Sequence, residues 1–254
     1  MKKRKAGIGI FVIVLIITAV RVKSMDSHRI SGRILAENIA GPGMLRLVEQ
    51  SMQARARKTS VTEIAVKERK HPQAALTFDD GPDIRYTPLL LDGLKERNVR
   101  ASFFLLGEKV EQYPELVERM QKEGHLVGNH TYHHVQLNKL NETKAREEIL
   151  KTNNLIYETT GVYPLYLRPP FGAWKKNLEL CVEMLPVFWT IDTLDWKVQN
   201  TEKIVRTVQE QIEDGAIILM HDEYDTSVEA ALQVADDLKA QGYQLVTVDQ
   251  LILP

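Results

Sequence analysis

From Ala74 onward the chain alternates short apolar runs with stretches of helical periodicity, and no other feature restricts its fold as strongly. The runs occupy 74–78, 99–105, 125–129, 165–168, 187–192, 216–221 and 244–248. Between them, Ala145, Ile149, Thr152 and Ile156, then Ile204, Val208 and Ile212, then Val228, Ala231, Leu232 and Ala235 each mark one face of a helix. Parallel strands cannot be joined by tight turns, so each needs a crossover, and a helix is the usual one. Seven such strands in about 180 residues predict an α/β fold whose parallel sheet curls into a compact, incomplete barrel.

Barrels of this class place functional groups where strands end and loops begin, at the carboxyl face. Asp79 and Asp80 follow the first run, His130 follows the third, Arg168 ends the fourth, Asp192 and Asp195 come with the fifth, and His221 ends the sixth. Polar groups from five strands are thereby expected to converge on one rim. Taken singly, each has a structural explanation. Asp79-Asp80-Gly81-Pro82 is rich in turn formers, Arg168-Pro169-Pro170 reads as a rigid loop, and His221 as a satisfied rim histidine. That all three explanations hold at once, at the ends of separate strands, is a far narrower condition.

These groups can support hydrolysis at a metal. The single cysteine, Cys181, excludes an intramolecular disulfide framework and a multi-cysteine zinc site, so any metal must sit on His, Asp or Glu. His130 and His134 are four apart, the spacing that brings two imidazoles to one side of a helical turn. Asp80 supplies a third ligand and leaves a coordination position open, as a catalytic site requires. The adjacent Asp79 is placed to take a proton from water, with Arg168 holding its charge, and His221 to protonate a leaving nitrogen. An amide needs that acid, because an amine anion is a very poor leaving group. His133 does not fit the ligand spacing and is expected to pack beside the site or support it. His28, His71 and His125 are expected to be structural or exposed, and Cys181 a buried apolar residue on a helix.

The amino-terminal part carries an address. Lys2, Lys3, Arg4 and Lys5 precede a mostly apolar stretch at 6–20, the charged-then-apolar order of a secretory signal. Such a helix would be roughly 22 Å long against a hydrocarbon core of ~30 Å, short for a span unless Val22 and snorkelling basic side chains extend it. No clear small-x-small cleavage site follows. Residues 1–24 are therefore expected to be an uncleaved signal anchor, making a single-pass membrane protein with its catalytic domain outside the cytoplasm; secretion after signal cleavage is the alternative. Residues 25–72, broken by Gly41-Pro42-Gly43, read as an extracytoplasmic stem, with a helix near 44–58 and a strand through Thr62, Ile64 and Val66. Residues 73–254 read as one catalytic domain, for which a chain that is 44% hydrophobic and 26% charged has core enough. The first 24 residues hold 6 basic groups and no acids. The other 27 Lys and Arg face 34 Asp and Glu, a formal charge of about −7 that makes nucleic acid a poor partner.

Five segments carry a resemblance to a known family. Thr77-Phe78-Asp79-Asp80-Gly81-Pro82, His130-Thr131-Tyr132-His133-His134, Arg168-Pro169-Pro170-Phe171-Gly172, Asp192-Thr193-Leu194-Asp195-Trp196 and Leu219-Met220-His221-Asp222 resemble, in order, the five motifs of the polysaccharide deacetylases, carbohydrate esterase family four. In motif detail they are most similar to the bacterial peptidoglycan N-acetylglucosamine deacetylases, and the resemblance covers about residues 73–253. It implies a distorted (β/α) barrel of about seven parallel strands and a metal site of Asp80, His130 and His134. That site usually holds zinc, with cobalt or another transition metal as alternatives. By the same correspondence Asp79 is the catalytic base, Arg168 orients it, His221 is the catalytic acid, and Asp195 tunes and positions His221. Trp196 and Leu219 match residues that shape the pocket for the acetyl methyl group, and the backbone N–H of Phe171 matches the oxyanion donor. Tyr is common at the Phe171 position in the family, but a backbone donor does not depend on the side chain.

The implied reaction is removal of acetyl groups from an N-acetylated glycan. N-acetylglucosamine in peptidoglycan leads, because the enzyme would be tethered facing the wall. Chitin oligomers and other acetylated polysaccharides stay open as substrates. A carbohydrate-binding envelope protein with little catalysis is the competing class, and retention of Asp79, His221 and all three ligands speaks against it.

Overall fold

The structure, a computed structural model, describes residues 70–174 and 184–252. The expected signal anchor, nearly all of the stem with its helix and strand, and the helix around Cys181 lie outside the described residues. Among the described residues, no helix is long and apolar enough to cross a membrane.

The expected alternation is present. Apart from two short 3₁₀ turns, the order is β1 (Gln73–Asp79), α1 (Tyr86–Glu96), β2 (Ser102–Leu105), α2 (Gly107–Gln112), α3 (Pro114–Lys122), β3 (Leu126–Asn129), α4 (Glu142–Thr160), β4 (Tyr166–Leu167), β5 (Leu185–Pro186), β6 (Ile191–Asp192), α5 (Asp195–Val198), α6 (Thr201–Gln211), β7 (Ala216–His221), α7 (Asp225–Ala240), β8 (Gln244–Leu245) and α8 (Val248–Ile252). The strand pairs are parallel, in the order β5-β4-β3-β2-β1-β7-β6, and β8 pairs with the beginning of β1.

This order forces the sheet to curl. Laid flat, six spacings of about 4.8 Å would hold the edge strands β5 and β6 roughly 29 Å apart. Pro186 and Ile191 are separated by only five peptide units, which reach at most ~18 Å. The two edges must therefore approach each other, and the result is a half-closed barrel of parallel strands.

The fifth apolar run, 187–192, is not the single strand expected from its composition. Only Ile191 and Asp192 pair as β6, while Val187 still donates its N–H to Leu167 on the other edge. The intervening residues cross the seam between the two edges. Val187 and Ile191 are buried there while Phe188 is exposed, so two residues of the segment seal the barrel, a role that a short apolar run does not distinguish from a central strand. Elsewhere only boundaries differ: β2 begins at Ser102, and Val248 opens α8 instead of ending β8.

Strand parity aims the site residues. On β1, Ala74, Leu76 and Phe78 join the core that packs under the helices, whereas Ala75 packs with Phe104, Tyr166, Val187 and Val248 on the other face. Thr77 and Asp79 share the parity of Ala75 and so face the barrel interior. Gly128 leaves room there, since a Cβ at that position would lie 2.6 Å from the Phe104 ring. Asn141 caps α4 by accepting the N–H of Lys144 at 2.9 Å, and Gly161, at φ 73, ends it in the left-handed conformation that glycine adopts without cost.

Candidate active site

Asp79 is the last residue of β1, buried and facing inward. Its Oδ1 accepts a hydrogen bond from Arg168 Nη1 at 2.8 Å, and the same nitrogen lies 2.7 Å from Thr77 Oγ1. Arg168 is fully buried at the end of β4, with its guanidinium 4.2 Å from the centre of the Phe104 ring and 5.8 Å from that of Trp189. Burial lowers the Arg168 pKa, and Asp79 opposes that shift through charge and hydrogen bond. A buried ion pair of this kind costs solvation on both sides, so it is weak evidence for a contribution to stability.

Asp80 adopts φ 70, which turns its carboxylate off the line of Asp79. Asp80 Oδ1 lies 3.3 Å from His130 Nε2 and 3.4 Å from His134 Nε2. It is buried yet accepts a hydrogen bond from neither. His130 donates its Nδ1–H to the Arg168 carbonyl at 2.7 Å, which leaves an unprotonated Nε2 facing the same point. One ligand atom from each of the three residues falls within 4.8 Å of the others. Two imidazole lone pairs and an orphaned carboxylate oxygen aimed at one position are what a divalent cation requires. Burial disfavours charge on Asp80, but the close approach of His130, with the charges of His134 and His221, holds it far below the usual carboxylate range. Burial lowers the His134 pKa, against an opposing pull from Asp80, and favours its neutral, ligating form.

The two histidines do not share a helical turn. Residues 130–134 form a loop in which Thr131 (φ 66) and His134 (φ 54) are left-handed, and this folding, rather than a 3.6-residue repeat, brings the second imidazole back to the first. His133 turns away and pairs with Glu148, Nδ1 to Oε1 at 2.8 Å, a supporting position of the kind expected of it.

Across the rim, His221 ends β7 and is held twice by the fully buried Asp195, the first residue of α5. Its backbone N donates to Oδ2 and its Nδ1 to Oδ1, both at 2.8 Å. His221 Nε2 is thereby free to face the cluster, 3.8 Å from Asp80 Oδ2. Burial works against the imidazolium, but the hydrogen bond and charge of Asp195, joined by Asp79 and Asp80, outweigh it and raise the His221 pKa to about 9. The same contacts lower the Asp195 pKa against its own burial.

Phe171 (φ 58) is 63% exposed, with its ring 4.5 Å from that of His134. Trp196 is half exposed beside Asp195, and Leu219 is buried two residues below His221, on the same side of β7. Asp192 does not join the cluster; its Oδ1 accepts the Leu194 N–H at 3.0 Å in a local turn. His125 is buried at the start of β3, where its Nδ1 accepts the Ala101 N–H and desolvation lowers its pKa to about 4.

Three further residues support the site. Glu148 and Asn129 hold the histidine loop, and Asp222 accepts the Thr87 hydroxyl beneath Gly81, where a Cβ would strike its carboxylate. Asn129 and Asp222 adjoin His130 and His221, so adjacency was a usable signal for them; Glu148 sits in an ordinary amphipathic helix and carries none.

Comparison with known proteins agrees with this geometry. The sequence profile of the family described as polysaccharide deacetylase matches residues 66–188. Over 185 residues the chain is 42% identical to the peptidoglycan-N-acetylglucosamine deacetylase PgdA of Listeria monocytogenes, covering 73% of this chain and 40% of that one, so it spans about two-fifths of that relative's length. Over 186 residues it is 40% identical to a peptidoglycan-N-acetylglucosamine deacetylase of Bacillus cereus, covering 70% of this chain and 68% of the relative. Among solved structures, the peptidoglycan deacetylase PdaC from Bacillus subtilis is similar with a TM-score of 0.70 and 43% identity, over 72% of this chain and 91% of that one. With the parallel half-barrel and its Asp-His-His cluster in place, the conclusion is that this chain belongs to the polysaccharide deacetylase family.

Proposed function

We propose that the chain is a metal-dependent hydrolase that removes acetyl groups from N-acetylated sugars of a cell-envelope glycan, N-acetylglucosamine of peptidoglycan foremost. The observation that carries this reading is the placement of a carboxylate and an imidazole around the three-donor cluster. Asp79 Oδ2 lies 3.7 Å from His130 Nε2, and His221 Nε2 lies 3.8 Å from Asp80 Oδ2, each group backed by a buried partner of its own. Zinc suits one carboxylate and two imidazoles with a position left open, and cobalt suits the same donors. A bound divalent cation supplies Lewis acidity, which makes water nucleophilic near neutral pH and polarises the acetamido carbonyl.

The chain's own residues move the protons. Asp79 accepts one as water adds to the carbonyl carbon, and Arg168 keeps that carboxylate aimed through its Nη1 hydrogen bond. The Phe171 N–H is the donor for the oxygen that gains charge. His221 gives its Nε2 proton to the nitrogen as the C–N bond breaks, leaving acetate and a free amine, while Asp195 fixes the ring and stabilises its protonated form. Leu219 and Trp196 bound the place of the acetyl methyl group.

The test is acetate release by residues 25–254 from peptidoglycan, chitin oligomers and acetylated xylan, with zinc, with cobalt and with chelator. Metal-dependent release from peptidoglycan, with free amino groups on its glucosamine residues, is expected. Metal uptake without acetate from any of them would favour the carbohydrate-binding alternative.

A pH profile tests the acid. His221 must carry its proton to act, so kcat/KM is expected to fall as pH rises through its pKa. Asp195→Asn removes the strongest of the partners that raise that pKa. The alkaline limb should then move to lower pH by about one unit or more, with metal content unchanged. A limb that stays in place assigns it to another group.

The amino-terminal segment is proposed to hold the domain at the outer face of a membrane. Residues 6–20 are the apolar stretch that supports this, behind four basic residues. The full chain is expected in the membrane fraction, and a chain shortened to begin at Met25 in the soluble one. Recovery of the native protein mainly as a soluble form starting near Ser24 would favour signal cleavage.

A further inference from the structure

We propose that Glu148 is a positioning residue for the metal site, its carboxylate setting the geometry of the loop that presents His130 and His134. The proposal rests on the metal-site reading above. Thr131 and His134 are non-glycine residues at positive φ, a conformation that persists only where the surroundings hold it. Part of that hold comes from the end of β2 and the start of α2, where the His130 N–H donates to Leu105 O at 2.9 Å, Gly107 N–H to Thr131 O at 3.0 Å and Glu108 N–H to Tyr132 O at 3.3 Å. Within the loop, Thr131 N–H donates to Asn129 Oδ1 and Val135 N–H to Thr131 Oγ1.

Two further backbone donors of the loop go to one group. Tyr132 and His133 lie between the two ligands, and both their N–H groups point at Glu148 Oε2, at 3.1 and 2.9 Å. His133 Nδ1 meets Oε1 of the same carboxylate at 2.8 Å. Charged acceptors form the stronger class of hydrogen bond, and this acceptor stands on a fixed base. α4 is anchored by buried Ala145, Ile149 and Thr152, and Asn129 Nδ2 donates back to Ile149 O and Asn153 Oδ1.

The two ligands depend on this carboxylate unequally. His130 is tied independently, by its N–H to Leu105 and by its ring to the Arg168 carbonyl. His134 has a 30% exposed side chain that touches Asp80 and the Phe171 ring, so its place is set by the loop that Glu148 holds. Releasing Tyr132 and His133 N–H should therefore loosen His134 first.

Zinc affinity of the metal-stripped chain, measured by competition with a chromophoric chelator, tests this. Glu148→Ala is expected to raise the zinc Kd about 10- to 100-fold. Glu148→Gln keeps an acceptor oxygen for the two backbone donors and should stay within ~3-fold of wild type, as should Glu147→Ala on the exposed neighbouring position. At saturating zinc, kcat of Glu147→Ala should match the wild type. A Glu148→Ala chain that melts lower yet binds zinc with the wild-type Kd would show a purely structural residue and overturn the proposal. Should the alanine variant not fold, Glu148→Asp keeps the charge but withdraws it by one methylene. It is expected to weaken zinc about tenfold, and wild-type affinity there overturns the proposal equally. Failure of the wild-type chain itself to bind zinc would sink the metal-site reading instead.

Discussion

Asp79→Asn is expected to bind zinc like the wild type and to lose ~10²-fold or more in kcat, about 2.7 kcal/mol of transition-state stabilisation. Asp79 stands outside the three-donor set, and the substitution is isosteric: the amide oxygen can still accept from Arg168 Nη1, so packing and the ion-pair pocket survive. What disappears is the one atom placed to take a proton as water attacks. Excess zinc should not restore activity, because no ligand has been lost. Arg168→Ala should share the loss of turnover and add a loss of stability, since it strands a buried carboxylate whose partner was fully enclosed, a change that costs roughly 3–5 kcal/mol in comparable pairs. Near-normal turnover of Asp79→Asn at full metal occupancy, or recovery in added zinc, removes Asp79 from the role of base.

The parts of this molecule that were legible in the sequence are those in which local chemistry and tertiary role coincide. β1 and β7 are six or seven residues long and pair over six positions, so their apolar runs are unambiguous. Their last residues, Asp79 and His221, could be placed on the rim by the rule that parallel strands end at the functional face. The seam was not legible. Edge strands of two residues pair too briefly to impose alternation, and Val187 and Ile191 are buried where the chain passes between the two edges. Periodicity reports burial, and burial alone does not say whether a residue is paired in a ladder or crossing a gap.

The histidine pair teaches the same lesson in the site. The spacing of His130 and His134 suggested a helical turn, and the two rings do converge, but through two left-handed residues pinned by Asn129, Thr131 and Glu148. Sequence separation constrains which residues can meet without stating by what backbone path they do. Glu148 illustrates the limit most clearly: its three donors lie 15 and 16 residues away, and nothing in an amphipathic helix marks a glutamate that faces a loop from one that faces water.

Removing any one of the three donors is expected to abolish high-affinity metal binding, and the failures should differ in kind. The wild-type chain should take up about one divalent ion at its one three-donor cluster among the described residues, and three ligands leave no redundancy when one is removed. Asp80→Asn replaces an anionic oxygen by a neutral one in a position where His130, His134 and His221 all face it, and metal should be lost with little change in fold. His134→Ala deletes a partly exposed ring whose place water can fill, so weak binding should persist at high zinc. His130→Ala empties a buried site and leaves the Arg168 carbonyl without its ring donor, so affinity and stability should fall together. Thermal unfolding separates these cases. Zinc at a hundred times its Kd adds about 2.7 kcal/mol to the folded state, worth roughly 5–11 °C for a domain of this size. That rise should be plain in the wild type, absent in Asp80→Asn and His130→Ala, and seen in His134→Ala only at much higher zinc. An undiminished rise at full occupancy in either histidine variant would place the metal elsewhere and dissolve the cluster on which the proposed chemistry depends.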